Sequence, residues 1–322
     1  MTGPEPGLDA LYASFAGLNM EGGWHRRHPA LWAQPLPNFR PHAWHYRDVR
    51  PILDRAGDLV DTQLAERRNL TMFNPVEGNV YSTVRTLVAA YQMVKPGELA
   101  RAHRHTANAL RLILEGSGTY TVVDGHQVEM RPGDVLLTPN WSWHSHENLG
   151  SENCYWMDFL DVPLVHLLEP MFYEPHLLHA EPDPVRVDSA PIAFRSEAID
   201  GWLAAAAPDP ARGDTRTITL GPASLASIAL DVLQLPPGAQ AGWTRETSNS
   251  IYAVMAGEGT VEVDGETLAW SFGDTVAMPA WRSHRLQAGA GGARLLKVSD
   301  RPLMQALGWF RSAPQPEPEL AR

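Results

Sequence analysis

The chain has 322 residues, 44% of them hydrophobic and 20% charged, with a formal net charge of -11 at pH 7. That composition describes a globular protein with room for two cores of ordinary size, and the acidic balance argues against nucleic acid or an anionic membrane surface as a partner. No apolar run is long enough to span a bilayer, and Cys154, the single cysteine, points to a reducing compartment, the cytoplasm.

The first residues, MTGPEPGLDALYASFAGL, have neither the basic start nor the apolar core of a secretory signal. Residues 1–75 predict a helical and irregular arm, because RDVRPILDRAGDLVDTQLAERRNL spaces its apolar residues as a helix does. From Tyr81 the pattern becomes short β-branched or alternating runs broken by Pro-Gly and Asp-Gly, which predicts a β-barrel over residues 76–172. Residues 173–215 lose that rhythm, are rich in proline, and read as a linker with one or two helices. A second barrel is predicted over 216–312, and the tail 313–322 reads as disordered.

The two barrels are copies of one unit. PGELARAHRHTANALRLILEGSGTYTVVDG can be laid on PGAQAGWTRETSNSIYAVMAGEGTVEVDG with one residue deleted late in the second copy, and RPGDVLLTPNWSWHSH on SFGDTVAMPAWRSHRL. In the first copy His103 and His105 are two apart on a strand, so they share a face, and closure of a barrel can bring His144 to the same point. Three neutral imidazoles on one centre are a ligand set for a divalent transition metal that leaves coordination positions open. In the second copy Thr244 and Glu246 stand in place of the first two histidines, and only His284 is kept, which reads as a structural remnant.

These spacings resemble the cupin superfamily. Gly97, His103, His105 and Gly116 fit its first motif, with Ala109 where the motif has glutamate, and Gly133, Pro139, His144 and Asn148 fit its second. Within that superfamily the chain is similar to the gentisate 1,2-dioxygenase family of bicupins, through AERRNL with Asn74-Pro75, Gln92, HRHTANALR, TPNWSWHSHEN and Trp156-Met157-Asp158. The resemblance implies an all-β bicupin of two barrels with an N-terminal helical arm. It implies Fe(II) held by His103, His105 and His144, an aromatic acid and O2 as reactants, and a homotetramer. The reaction it implies is ring opening between the carboxyl-bearing and hydroxyl-bearing carbons, with both oxygen atoms incorporated.

Other residues carry candidate roles beside bland ones. Arg111 offers a guanidinium fork to a substrate carboxylate, or a structural ion pair. Arg67 and Arg68 are placed on the predicted helix, and the resemblance implies that one of them reaches the site. Gln92 interrupts an apolar strand and is a candidate hydrogen-bond partner of the substrate; Asp158 orients a neighbouring arginine or histidine, or serves a turn. His146 is open as a fourth ligand, as a donor to substrate or oxygen, or as a satisfied core histidine. Trp141 and Trp143 read as packing. The third-ligand segment departs from the family pattern at Asn140, Ser145 and Glu147, and Ala90 and Tyr91 depart beside Gln92. These departures favour a substrate range from gentisate to 5-nitro- and 5-halosalicylates. The competing readings are another metal-dependent cupin enzyme, a hydrolase or isomerase, and a bicupin that binds a small ligand without catalysis.

Overall fold

The structure is a computed structural model that describes residues 7–24, 31–221 and 225–313. It comprises two compact units, Met1–Leu36 and Pro37–Arg322. In the first, helix α1 (Leu8–Ala16) buries none of its side chains. The second begins with strand β1 (His42–Trp44), helix α2 (Tyr46–Leu59) and strand β2 (Arg68–Met72). Strands β3 (Val88–Val94), β4 (Leu99–His105), β5 (Ala109–Glu115), β6 (Thr119–Val123), β7 (His126–Glu129), β8 (Val135–Thr138), β9 (His144–Asn148) and β10 (Cys154–Leu160) build the first barrel. Helix α3 (Val162–Leu168) and strands β11 (Tyr173–Pro175), β12 (Val185–Arg186) and β13 (Ala193–Phe194) lead to helix α4 (Ser196–Ala205). The second barrel follows as β14 (Arg216–Thr219), β15 (Ala229–Leu235), β16 (Arg245–Glu246), β17 (Ser250–Val263), β18 (Glu266–Ser271), β19 (Thr275–Met278) and β20 (His284–Ser299). Helix α5 (Arg301–Ala306) and strand β21 (Ser312–Ala313) close the described chain.

The first barrel is two six-stranded sheets, ordered β13-β8-β5-β10-β3-β2 and β11-β4-β9-β6-β7-β12. The sheet containing β5 is covered on both faces. Leu110, Leu112 and Leu114 enter a large core shared with Leu230, Val232, Leu296 and Val298 of the second barrel, whereas Ile113 joins Val128, Leu136 and Trp156 inside the first. Burial on both faces explains why these strands read as nearly unbroken apolar runs. It also turns Arg111, between two residues of the shared core, toward the inside of the barrel. The Asp-Gly pairs at 124–125 and 264–265 both take left-handed backbone, at φ 44 and 79 and at φ 52 and 79, as tight hairpin turns require.

Several segments differ from the expectation read along the chain. Arg67 and Arg68 are not helical: α2 ends at Leu59, and Arg68 opens β2, which pairs with β3 through Asn69↔Gln92 and Thr71↔Ala90. The apolar spacing of the helix continues past its end because one side of β2 is also buried. The segment expected to be a linker contributes β11, β12 and β13 to the first barrel, on edges too short to show an alternating pattern. Of the tail, Ala313 lies in β21, and residues 314–322 fall outside the described residues.

The arm and the linker prove to be a further repeated unit, and the two copies are exchanged. β1 of the arm pairs with β19 of the second barrel, and the main-chain N–H of Tyr46, at the head of α2, donates to Asp274 at 2.8 Å. In the same way β13 pairs with β8 of the first barrel, and the N–H of Ser196, at the head of α4, donates to Asp134 at 2.8 Å. Gly133 and Gly273 make room for these helix starts: a Cβ there would lie 2.7 Å from Ser196 Oγ and 2.5 Å from the ring of Tyr46. A second exchange fastens the barrels. Asp161 accepts from Asn108 of its own barrel at 2.8 Å and from Ser227 of the other, while Asp300 accepts from Asn249 at 2.7 Å and from Thr86 of the first barrel at 2.6 Å.

Candidate metal centre and substrate pocket

His103 and His105 lie on β4 and His144 on β9, neighbouring strands in which His103 stands directly opposite His144. The pairing slips by one residue between Ala100 and His103, a bulge of the kind that re-aims side chains beside functional sites. One ligating nitrogen from each of the three histidines lies within 4.8 Å of the other two, and this is the one such cluster among the described residues. The Nδ1–H groups of His103, His105 and His144 donate to the carbonyls of Arg101, Ala107 and Ser142, at 2.9, 2.8 and 3.1 Å. A carbonyl can only accept, so each ring carries its proton on Nδ1 and presents the lone pair of Nε2. Burial lowers the proton affinity of all three, to about 4 for His103 and well below the usual range for His144. The set is therefore neutral, oriented and free of carboxylate, since Ala109 fills the place of a fourth ligand. It fits a divalent transition metal.

Beside the histidines lies a buried polar chain. Arg111 is 1% exposed; its Nε–H donates to Asp158 at 3.3 Å and its Nη1 to Thr121 Oγ1 at 3.2 Å. Among the described residues no protein acceptor holds its Nη2. Asp158 also accepts from Trp156 Nε1 at 2.9 Å and from the amide of Gln92, whose own oxygen accepts from Arg67 Nε. The strand register dictates this convergence, because Asp158 stands opposite both Ala90 and Arg111, and Trp156 opposite Gln92. His146 is fully buried on the same face as His144, outside the histidine cluster, and among the described residues its Nδ1 has no hydrogen-bond partner. Five of the six other residues singled out in the sequence, Arg67, Gln92, Arg111, His146 and Asp158, thus converge here with the three histidines in one barrel; Arg68 does not. Its guanidinium is turned the other way, donating to the carbonyl of Val60 at 2.9 Å and pairing with Glu98. Thr121, which positions Arg111, was not singled out, because a threonine in a strand carries no signal of its own. Arg104 projects to the outside between the rings of Trp141 and Trp143, 4.5 Å from each centroid, so both indoles pack around a cation.

Residues 90–162 and 231–299 match the cupin domain family. A 5-aminosalicylate 1,2-dioxygenase from Comamonas sp is 34% identical over 94% of this chain and 89% of its own length. A gentisate 1,2-dioxygenase from Streptomyces sp is 31% identical over 95% of each. The chain belongs to the gentisate 1,2-dioxygenase-like bicupin family. It is a ring-cleaving dioxygenase of aromatic acids, an oxidoreductase that incorporates O2. The crystal structure of a salicylate 1,2-dioxygenase from Pseudaminobacter salicylatoxidans superposes with a TM-score of 0.86 at 28% identity, over 97% of this chain and 99% of that one. The same enzyme has been crystallised as an adduct with gentisate, with a TM-score of 0.87 at 27% identity, over 98% of this chain and 96% of that one.

The second barrel of the dioxygenase shows how such a centre is closed. Tyr252, opposite Lys297, stands where the first barrel has Arg111 opposite Asp158. His284 keeps the Nδ1 donation to a carbonyl, that of Arg282 at 3.1 Å, but its Nε2 accepts from the hydroxyl of Tyr252 at 2.9 Å. Lys297 donates to Glu246 at 2.9 Å. The lone pair that a metal would need is therefore taken, and an ammonium occupies the neighbourhood. His284→Ala is expected to leave one metal per chain and unchanged turnover while lowering stability by about 1–3 kcal/mol, as buried partners of a lost hydrogen bond do. Metal analysis together with thermal denaturation checks this, and loss of metal in the variant would refute the assignment.

Proposed function

We propose that the dioxygenase holds Fe(II) on His103, His105 and His144 and opens the ring of salicylate-type acids between the carboxyl-bearing and hydroxyl-bearing carbons. The observation that carries this reading is the neutral three-histidine set beside Arg111, whose guanidinium is fixed on two sides and open on its third nitrogen. Iron bound there would supply Lewis acidity toward the carboxylate and ortho hydroxyl, together with the electron-transfer chemistry that lets O2 react with a ring. The chain's own residues do the rest. Arg111 receives the substrate carboxylate with its fork, in a site where charge is little screened. Asp158 and Thr121 hold that fork in plane. Arg67 and Gln92 extend the same chain of hydrogen bonds along the wall, and Arg67, rather than Arg68, is the second arginine of the site. His146 presents a polar edge in the buried pocket, placed to hydrogen-bond substrate or oxygen.

The range of substrates is set by the wall beside Gln92. Ala90 is small and buried, and its cross-strand neighbour Thr71 and the adjacent Asn69 stand exposed on the edge strand beside it. A short apolar residue flanked by uncharged polar ones does not demand a second ring hydroxyl. The proposed range is gentisate, 5-aminosalicylate and 5-nitro- or 5-halosalicylates. Oxygen uptake and loss of aromatic absorbance by the iron-loaded enzyme, measured with these acids, salicylate and 1-hydroxy-2-naphthoate, test it. Turnover of several 5-substituted salicylates is expected; turnover of gentisate alone would overturn the broad range, and turnover of none would overturn the assignment of this site to such acids.

A further inference from the structure

Where α4 leans on the second barrel there is a cleft of about 470 Å³, open to solvent, lined by Asp200, Ala204, Arg216, Gln234 and Arg294. Three of these form one row across adjacent strands, because Arg216 pairs with Gln234 and Gln234 with Arg294. Side chains directly opposite in a sheet share a face, and the two arginine backbones are therefore about 10 Å apart with the amide of Gln234 between them. Arg216 Nη1 donates to the carbonyls of Leu203, Ala204 and Ala206 at 3.3, 2.9 and 2.6 Å, which pins the guanidinium at the C-terminal end of α4. Arg294 pairs with Asp200, yet among the described residues its buried Nε has no partner. A buried donor without an acceptor is costly and uncommon.

The internal repeat supplies an independent comparison. Arg68 is the counterpart of Arg216: it opens the matching strand and donates to the carbonyl of Val60, at the end of the matching helix. Arg68, however, is balanced by the carboxylate of Glu98. In the repeat Glu98 falls on Ala239, and among the described residues no carboxylate pairs with Arg216. Two guanidiniums and one carboxylate leave one positive charge in an open cleft with more room than an inorganic anion needs.

We propose that this cleft is a binding site for a small organic monocarboxylate, held by Arg216, Arg294 and Gln234 and distinct from the metal centre. The bound carboxylate stands beside Arg216 as Glu98 stands beside Arg68, accepting from the accessible guanidinium N–H groups of Arg216 and Arg294, with its carbon chain in the remaining volume. The test is thermal denaturation of the metal-loaded enzyme in chloride, butyrate or inorganic phosphate at equal ionic strength. Butyrate is expected to raise the midpoint by about 2–4 °C over chloride, the shift expected of a ligand well above its Kd in a domain of this size. Arg294→Gln should abolish the rise without changing turnover. Gln234→Glu should abolish it too while raising the midpoint in chloride, because it places a carboxylate in the row. No rise with butyrate, or a rise retained in both variants, would overturn the site; an equal or larger rise with phosphate that both variants abolish would overturn the assignment to an organic acid.

Discussion

Replacing His103 or His144 with alanine is expected to reduce bound metal from one per chain to none and to abolish oxygen uptake. In the proposed centre each ring is one of three ligands, and two imidazoles on a divalent ion hold it far less tightly than three. The substitutions remove a buried ring, and the fold is expected to persist, since the surrounding strands are paired by main-chain bonds and by cores elsewhere in the barrel. Metal analysis and oxygen uptake, with circular dichroism to confirm folding, measure the effect. A folded His103→Ala or His144→Ala protein that still binds stoichiometric metal would sink the three-histidine assignment. His146→Ala is the contrasting variant: it lies outside the cluster, so metal should be retained while turnover falls.

The second large effect is expected at Arg111. Arg111→Gln should keep its metal and weaken substrate binding about 100-fold, the equivalent of about 3 kcal/mol for a paired contact to a charged group. Arg111→Lys restores charge without the fork and should recover only part of the loss. The substitution also leaves Asp158 without its cation, although the donations from Trp156 and Gln92 remain. Stability should therefore fall by less than the roughly 3–5 kcal/mol of a fully stranded buried charge. Substrate titration of the metal-loaded variant under anaerobic conditions separates these outcomes. Unchanged affinity in Arg111→Gln would exclude it as the carboxylate receptor, whatever happens to stability.

Much of this site is legible in the sequence, for physical reasons. His103 and His105 advertise themselves because a two-residue spacing in a strand is a shared face, and the glycines around them mark the turns that close a barrel. Gln92, Asp158 and Arg111 stand out as polar residues inside apolar strands, and burial then requires that they satisfy one another. Arg68 was harder to place. An arginine beside a helical apolar pattern gives no sign of which face it takes, and the answer depended on an edge strand whose inward side is also buried. Most hidden of all was the kinship of residues 42–59 with residues 193–205. The two segments share almost no sequence, because what they share is a main-chain N–H aimed at an aspartate and a short edge of strand, neither of which needs a particular side chain.

That exchange of edge strands bears on ancestry. Each barrel is completed by the segment that precedes the other one, as it would be if two copies of a single-barrel chain traded their leading segments and were later joined end to end. In such a fused pair the halves are freed from identity but not from each other: one copy can give up its ligands, as Thr244, Glu246 and the capped His284 record, yet it still has to supply the wall against which its twin is built. The demands of chemistry fall on one half of the chain, and the demands of architecture fall on both.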